Sequence, residues 1–215
     1  LAEYLAMFDL SPVDVAGSSV LDCCAGAASF TAESEGRGVA MDPVYAMGSG
    51  ELATLVRDGV RDGERIIAEH ADAFEWDWYG HPARRAEQRR TAADRFLLDL
   101  SRRPGRYVAG ALPNLPLATG SFDLVLCSHL LFTWSDVLDE AWHRRAIAEL
   151  VRVARREVRV FPLVVQGTGD PVAFLDSLRA DLHAAGHRSC LRTVPYRFQR
   201  GADQMLAITV EAAST

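Results

Sequence analysis

The feature that most restricts the fold of this chain is a repeated order of short apolar runs and helical patterns. Ser19-Val20-Leu21-Asp22 and Gly38-Val39-Ala40-Met41-Asp42 are compact runs bounded by turn residues, the pattern of strands buried on both faces. Arg106 to Ala109 and Phe122 to Cys127 repeat it, as does Val158 to Val165 behind a long amphipathic helix predicted from about Asp136 to Arg155. Parallel strands must be joined by crossovers lying on the sheet faces, so the alternation predicts an α/β three-layer sandwich around a mostly parallel sheet. A helix from about Pro171 to Ala185 ends at Gly186, and two further strands follow, about Ser189 to Pro195 and Gln204 to Val210. Their closeness in sequence predicts an antiparallel hairpin. A short helix, Leu1 to Leu10, stops at Ser11-Pro12, and another is predicted from Ser29 to Ser34.

Between Pro43 and Gly105 no convincing strand is found, far more chain than a usual crossover needs. Helical spacing over Glu51 to Asp72 and over Pro82 to Arg103, joined by the aromatic stretch Phe74 to Gly80, predicts a helical and aromatic insertion at about 44–105. With no linker or repeat, 215 residues read as a single domain, 1–215.

Composition narrows the partners. The formal charge is −6, which offers no electrostatic attraction for a polyanion, so a nucleic-acid partner is disfavoured. All 23 basic residues are arginine, so paired arginines such as Arg84-Arg85 and Arg89-Arg90 carry little information by themselves. No apolar stretch is long enough to span a membrane, and the start carries Glu3 and Asp9 with no basic leader, so a cytoplasmic protein is expected. Cys23, Cys24, Cys127 and Cys190 show neither a CxxC pair nor a framework spacing, which predicts unlinked thiols. His183 and His187 have a ligand-like spacing but no third ligand, and no metal is expected. The oligomeric state is not readable.

In an open α/β sheet the ligand sits beyond the carboxyl ends of the strands. After the first strand comes Asp22-Cys23-Cys24-Ala25-Gly26-Ala27-Ala28-Ser29, a small-residue turn that lets backbone approach a ligand while the next helix opens with free N–H groups. Close packing of strand and helix accounts for the same residues. Asp42 ends the second strand about 20 positions later, where a carboxylate can accept both hydroxyls of a ribose. It is equally suited to a turn before Pro43.

In "VLDCCAGAASF", "GVAMDP", "ALPNLPLATGSFDLVLCSHLLF" and "AIAELVRVARREVRVF", in that order, the chain resembles the class I S-adenosylmethionine-dependent methyltransferases. The third run, with Leu115-Pro116-Leu117 and Gly120-Ser121-Phe122-Asp123-Leu124-Val125, is the most specific. The resemblance implies a Rossmann-like seven-stranded sheet ending in an antiparallel hairpin, S-adenosylmethionine as cofactor, and methyl transfer. By resemblance Asp22 lies near the methionine end, Gly26 passes beneath it and Asp42 holds the ribose. Cys23, Ser29, Pro43, Ala111, Leu112, Cys127 and Ser128 complete the expected cofactor site. The departures are specific: Cys24 and Ala28 replace glycines of the first motif, which implies fewer left-handed backbone positions, and Ala111 stands where many members carry an acid for the adenine amino group.

His129, after the fourth strand, is the candidate proton acceptor, its alternative role being a backbone hydrogen bond in the turn. Tyr45, Trp76, Trp78 and Tyr79 are candidates for a lid or acceptor pocket, by cation–π contact or stacking, against a plain packing role. Arg197 and Arg200 are candidates for an acidic acceptor, and His81 is a further one. The chain lacks the Asn/Asp-Pro-Pro-aromatic tetrad of base-amino methyltransferases after the fourth strand, and the Pro-Cys nucleophile of those attacking a pyrimidine carbon, so a small-molecule acceptor is expected. Two other readings remain: chemistry on another part of the cofactor, such as aminocarboxypropyl transfer or cyclisation, and a non-catalytic binding module. The enzyme readings require room for an adenosyl group among Asp22, Gly26 and Asp42.

Overall fold

The strands β1 (Val20–Cys23), β2 (Gly38–Met41), β3 (Tyr107–Val108), β4 (Phe122–Ser128), β5 (Ala154–Phe161), β6 (Arg188–Thr193) and β7 (Gln204–Thr209) form one sheet in the order β3-β2-β1-β4-β5-β7-β6. This computed structural model describes residues 1–211. The first five strands pair in parallel, and β7 runs antiparallel between β5 and β6. The order reverses direction between β1 and β4, so the carboxyl ends of these two strands flank the crevice in which such sheets bind ligands.

Side chains alternate across the sheet. From β4, Val125 and Cys127 enter one core with Leu21, Cys23, Val158, Val160, Leu206 and Ile208. That face is covered by α6 (Glu140–Val153) through Ile147 and Leu150, and by α7 (Leu175–Ala184) through Leu178 and Leu182. Leu124 and Leu126 point the other way, toward Val20 and Phe30. There they meet α1 (Ala2–Met7), α3 (Phe30–Glu33) and the aromatic side chains Tyr79, Tyr196 and Phe198. Asp22 shares this second face, as the period of two requires, and Tyr4 reaches it from α1.

The insertion consists of two 21-residue helices, α4 (Ser49–Glu69) and α5 (Pro82–Arg102). They pack by Leu52, Val56, Ala93 and Phe96 against Ala40 and Tyr107 beside β2. His81 does not project as a site residue; its Nδ1 accepts the Arg84 N–H at 3.4 Å and caps α5. The expected first helix, 1–10, is α1, which ends at Met7 before Asp9 takes a φ of 47°, and an additional short helix, α2 (Pro12–Ala16), starts on a capping box between Ser11 and Asp14. The helix expected to reach Arg155 ends at Val153, and β5 begins at Ala154, because Phe122 of β4 pairs with that residue.

Candidate active site

The turn after β1 is held by the end of β2. Asp42 accepts the Gly26 N–H through one carboxylate oxygen at 3.0 Å and the Val44 N–H through the other at 3.1 Å. Tyr45 donates its hydroxyl to the Gly26 carbonyl at 2.6 Å and packs on Phe96 and Tyr107. Tyr45, expected in a lid or acceptor pocket, is therefore a brace for this turn. Gly26 has φ 52°, and a Cβ placed there meets nothing within 4 Å, so the space over its backbone is open.

Cys24 departs from expectation. Although it replaces a motif glycine, it still occupies the left-handed region, with φ 62°. The loop keeps its shape and carries the steric cost of about 1–2 kcal/mol that a Cβ incurs there. Cys24→Gly is expected to be tolerated and Cys24→Val to destabilise the fold by about 1–2 kcal/mol, because a β-branched residue is least suited to positive φ; urea midpoints report both. Cys23 and Cys127, expected at the cofactor, are buried register partners in the core below the rim. All four thiols are free, with the Cys23 and Cys24 sulfurs 3.8 Å apart.

Asp22 is fully buried. One carboxyl oxygen accepts the Tyr4 hydroxyl at 3.2 Å, and the other has no partner among the described residues. Desolvation pushes its pKa up to about 8, and the Asp42 charge adds to the rise while the Tyr4 hydrogen bond opposes it. Two carboxyl groups thus border the turn and no described guanidinium pairs with either, an arrangement that a cationic ligand group completes. Ser29, at the start of α3, donates to Glu33 at 2.6 Å. Of the adenine-side candidates, Pro43 and Ala111 are exposed, and the Ala111 carbonyl already accepts the Asn114 N–H at 3.1 Å. Leu112 is buried in the core.

His129 follows β4 with φ 56°, another strained non-glycine position beside the crevice. Its Nδ1 lies 2.7 Å from the Ser128 hydroxyl, and its N–H donates to the Phe161 carbonyl at 2.8 Å. One edge of the residue is open to solvent, yet desolvation, reinforced by the Arg89 guanidinium, pushes the imidazole down to about 4. The ring is therefore neutral at physiological pH. Its Cε1–H resonance is expected to stay flat from pH 8 down to about 5 and to move only below that; titration near pH 6.5 would contradict this environment.

The aromatic stretch joining α4 to α5 does not arch over the rim. Phe74 stacks on Phe198, Trp76 meets Phe198 edge-on and donates its ring N–H to the Ala71 carbonyl, and Tyr79 is fully buried against Tyr196 and Phe198. Trp78 packs on Tyr196 and also lines a cavity of about 590 Å³ with Tyr4, Ala28, Ser29, Arg84 and Arg89. That cavity opens beside the rim: Tyr4 stands between it and Asp22. Arg197 and Arg200 are corrected too. Arg197 donates to the Val194 and Tyr196 carbonyls and Arg200 to the Asp72 carbonyl, so both hold the hairpin loop in place.

A family model described as a methyltransferase domain matches residues 81–161, from the start of α5 to the end of β5. Over those residues, less than half of the chain, the protein is similar to that domain family. It is 23% identical over 210 residues to an uncharacterized protein, MJ0045, of Methanocaldococcus jannaschii, covering 96% of this chain and 91% of that protein. Among solved structures, it is similar in fold to an O-methyltransferase from neocarzinostatin biosynthesis, with a TM-score of 0.51 at 16% identity, covering 97% of this chain and 55% of that one. A 16S rRNA adenine methyltransferase from Catenulisporales acidiphilia aligns with a TM-score of 0.45 at 17% identity, over 96% of this chain and 93% of that one. The domain match begins after Asp22, Gly26 and Asp42, so it does not include these three residues. Among the described residues no helix is long and apolar enough to cross a membrane.

Proposed function

We propose that this protein transfers a methyl group from S-adenosylmethionine to a small-molecule acceptor at the carboxyl rim of β1, β2 and β4. The observation that carries the reading is the rim itself: a buried Asp22 oxygen without a partner, an open Gly26 backbone, and Asp42 at ribose-binding spacing. The Asp42 oxygens each accept one backbone N–H and retain lone pairs for a nucleoside diol. Asp22 suits the cationic amino-acid end of the cofactor. When bound, S-adenosylmethionine supplies an electrophilic methyl group on a sulfonium and leaves as S-adenosylhomocysteine.

Methyl transfer is an in-line displacement, so alignment of the acceptor does much of the work. His129, neutral and fixed through Ser128, is placed to accept the acceptor's proton. Its low basicity suits a proton that becomes acidic only as the new bond forms. A net charge of −6 favours a small molecule over a polyanion, and the free thiols suit a reducing cytoplasm. Calorimetry with S-adenosylhomocysteine tests the site, and mass spectrometry of the nucleoside product tests the reaction. Methylthioadenosine as product would replace methyl transfer by aminocarboxypropyl chemistry, and no binding by the folded chain would leave a non-catalytic module.

A further inference from the structure

Where α1, α5 and the loop before β7 converge, two guanidinium groups, those of Arg85 and Arg89, gather near one carboxylate, that of Glu3, which pairs only with Arg89. Glu3 accepts the Tyr79 hydroxyl at 2.7 Å through one oxygen and the Arg89 guanidinium through the other. Arg89 also donates to the Tyr79 hydroxyl at 3.3 Å, and Tyr79 and Tyr196 share a hydrogen bond of 2.8 Å. Arg85, one helical turn before Arg89, lies 4.5 Å from the centre of the Phe198 ring and 5.9 Å from that of Tyr79. It is half-buried and, among the described residues, its side chain has neither an ion pair nor a hydrogen bond; its Nε and that of Arg89 are both buried without partners.

A cation taken from water without a counter-ion is unfavourable, and the ring faces of Phe198 and Tyr79 offset only part of that. The cluster holds one positive charge more than Glu3 balances. It also stands near the reaction corner: the Tyr196 ring of the cluster meets the Phe161 ring edge-on at 5.8 Å between centres, and Phe161 meets the solvent-exposed His129 ring at 5.6 Å. The hairpin arginines do not serve this purpose, since Arg197 and Arg200 are engaged with backbone carbonyls.

We propose that Arg85, together with Arg89, forms an anion subsite beside His129 that receives a carboxylate carried by the methyl acceptor. A monoanion matches the single uncompensated charge, whereas a phosphate dianion would exceed it. The Tyr79 and Tyr196 hydroxyl protons are already used toward Glu3 and Tyr79, so the planar guanidinium of Arg85, which has no hydrogen-bond partner among the described residues, provides the donors suited to two carboxylate oxygens. The acceptor is thus a small carboxylic acid whose reacting heteroatom faces His129. This rests on the methyltransferase reading, and the two can fail separately.

The test titrates sodium benzoate, with benzamide as the uncharged control, into the full chain saturated with S-adenosylhomocysteine. Benzoate is expected to bind at least tenfold more tightly than benzamide and to shift the His129 ring resonances. Arg85→Gln should weaken benzoate at least tenfold while S-adenosylhomocysteine affinity stays within twofold; Arg85→Lys, which keeps the charge, should stay within about threefold for benzoate. Equal binding of benzoate and benzamide, or unchanged benzoate affinity in Arg85→Gln, overturns the subsite. So does a tenfold loss of S-adenosylhomocysteine affinity in Arg85→Gln, which would assign the anion to the cofactor's own carboxylate. If the wild-type chain fails to bind S-adenosylhomocysteine, the methyltransferase reading falls, and the benzoate contrast on the ligand-free chain still decides the anion subsite.

Discussion

Asp42→Ala is expected to weaken S-adenosylhomocysteine binding by about 10- to 150-fold, the ~1.5–3 kcal/mol associated with hydrogen bonds to a charged group. Asp42 acts twice. Its two oxygens fix the Gly26 and Val44 N–H groups, and in the proposed function their remaining lone pairs receive the ribose. The variant should still fold, because Tyr45 keeps its hydrogen bond to the Gly26 carbonyl and β2 stays paired on both sides. Asp42→Asn separates the two roles: its amide oxygen can still accept one N–H, but the charge and half the acceptor capacity are gone, so its loss should fall between wild type and alanine. Calorimetry at constant pH measures all three, and an alanine variant that binds as tightly as wild type would remove Asp42 from the cofactor site.

The rim was legible in the sequence because its parts are local: a strand, a small-residue turn, and an acid at the end of the next strand. The β4 run was legible for a similar reason, since Leu124 to Cys127 alternates between two cores, after a register shift between Phe122 and Leu124. The Arg85–Arg89–Glu3 cluster carried no such signal. Glu3 and Arg89 stand 86 positions apart and meet only because the fold packs α1 over β1 and β4 and α5 beside the neighbouring β2. The aromatic stretch was legible in composition but not in direction. An isolated strand-like bridge between Phe74 and Gln199, with the Glu75 N–H donating to the Phe198 carbonyl, ties it to the hairpin loop and turns its rings away from the rim. The capping box of α2 was present in Ser11 to Asp14, yet Pro12 there reads as a helix stop as readily as an N1 start.

Asp22 makes both stability and ligand binding depend on pH, with opposite signs. Its folded-state pKa of about 8 lies above the ordinary carboxyl value of 3.8, so the folded state prefers the protonated acid. The stabilising effect of holding that proton is complete below about pH 4, declines as pH rises, and is gone above about pH 8, a change on the order of 5–6 kcal/mol. Asp22→Asn should flatten this slope, since the amide keeps an acceptor for Tyr4 and has no charge to desolvate. Binding runs the other way. A cationic ligand group beside Asp22 favours the carboxylate, so the site must release close to one proton to bind at pH 7. Affinity for S-adenosylmethionine should therefore rise by up to tenfold per pH unit between about pH 6 and 8 and level off above. Calorimetry in buffers of different ionisation enthalpy reads the released proton directly. If wild-type affinity is flat across that interval, or Asp22→Asn keeps the full slope, the buried acid is not the group that meets the cation.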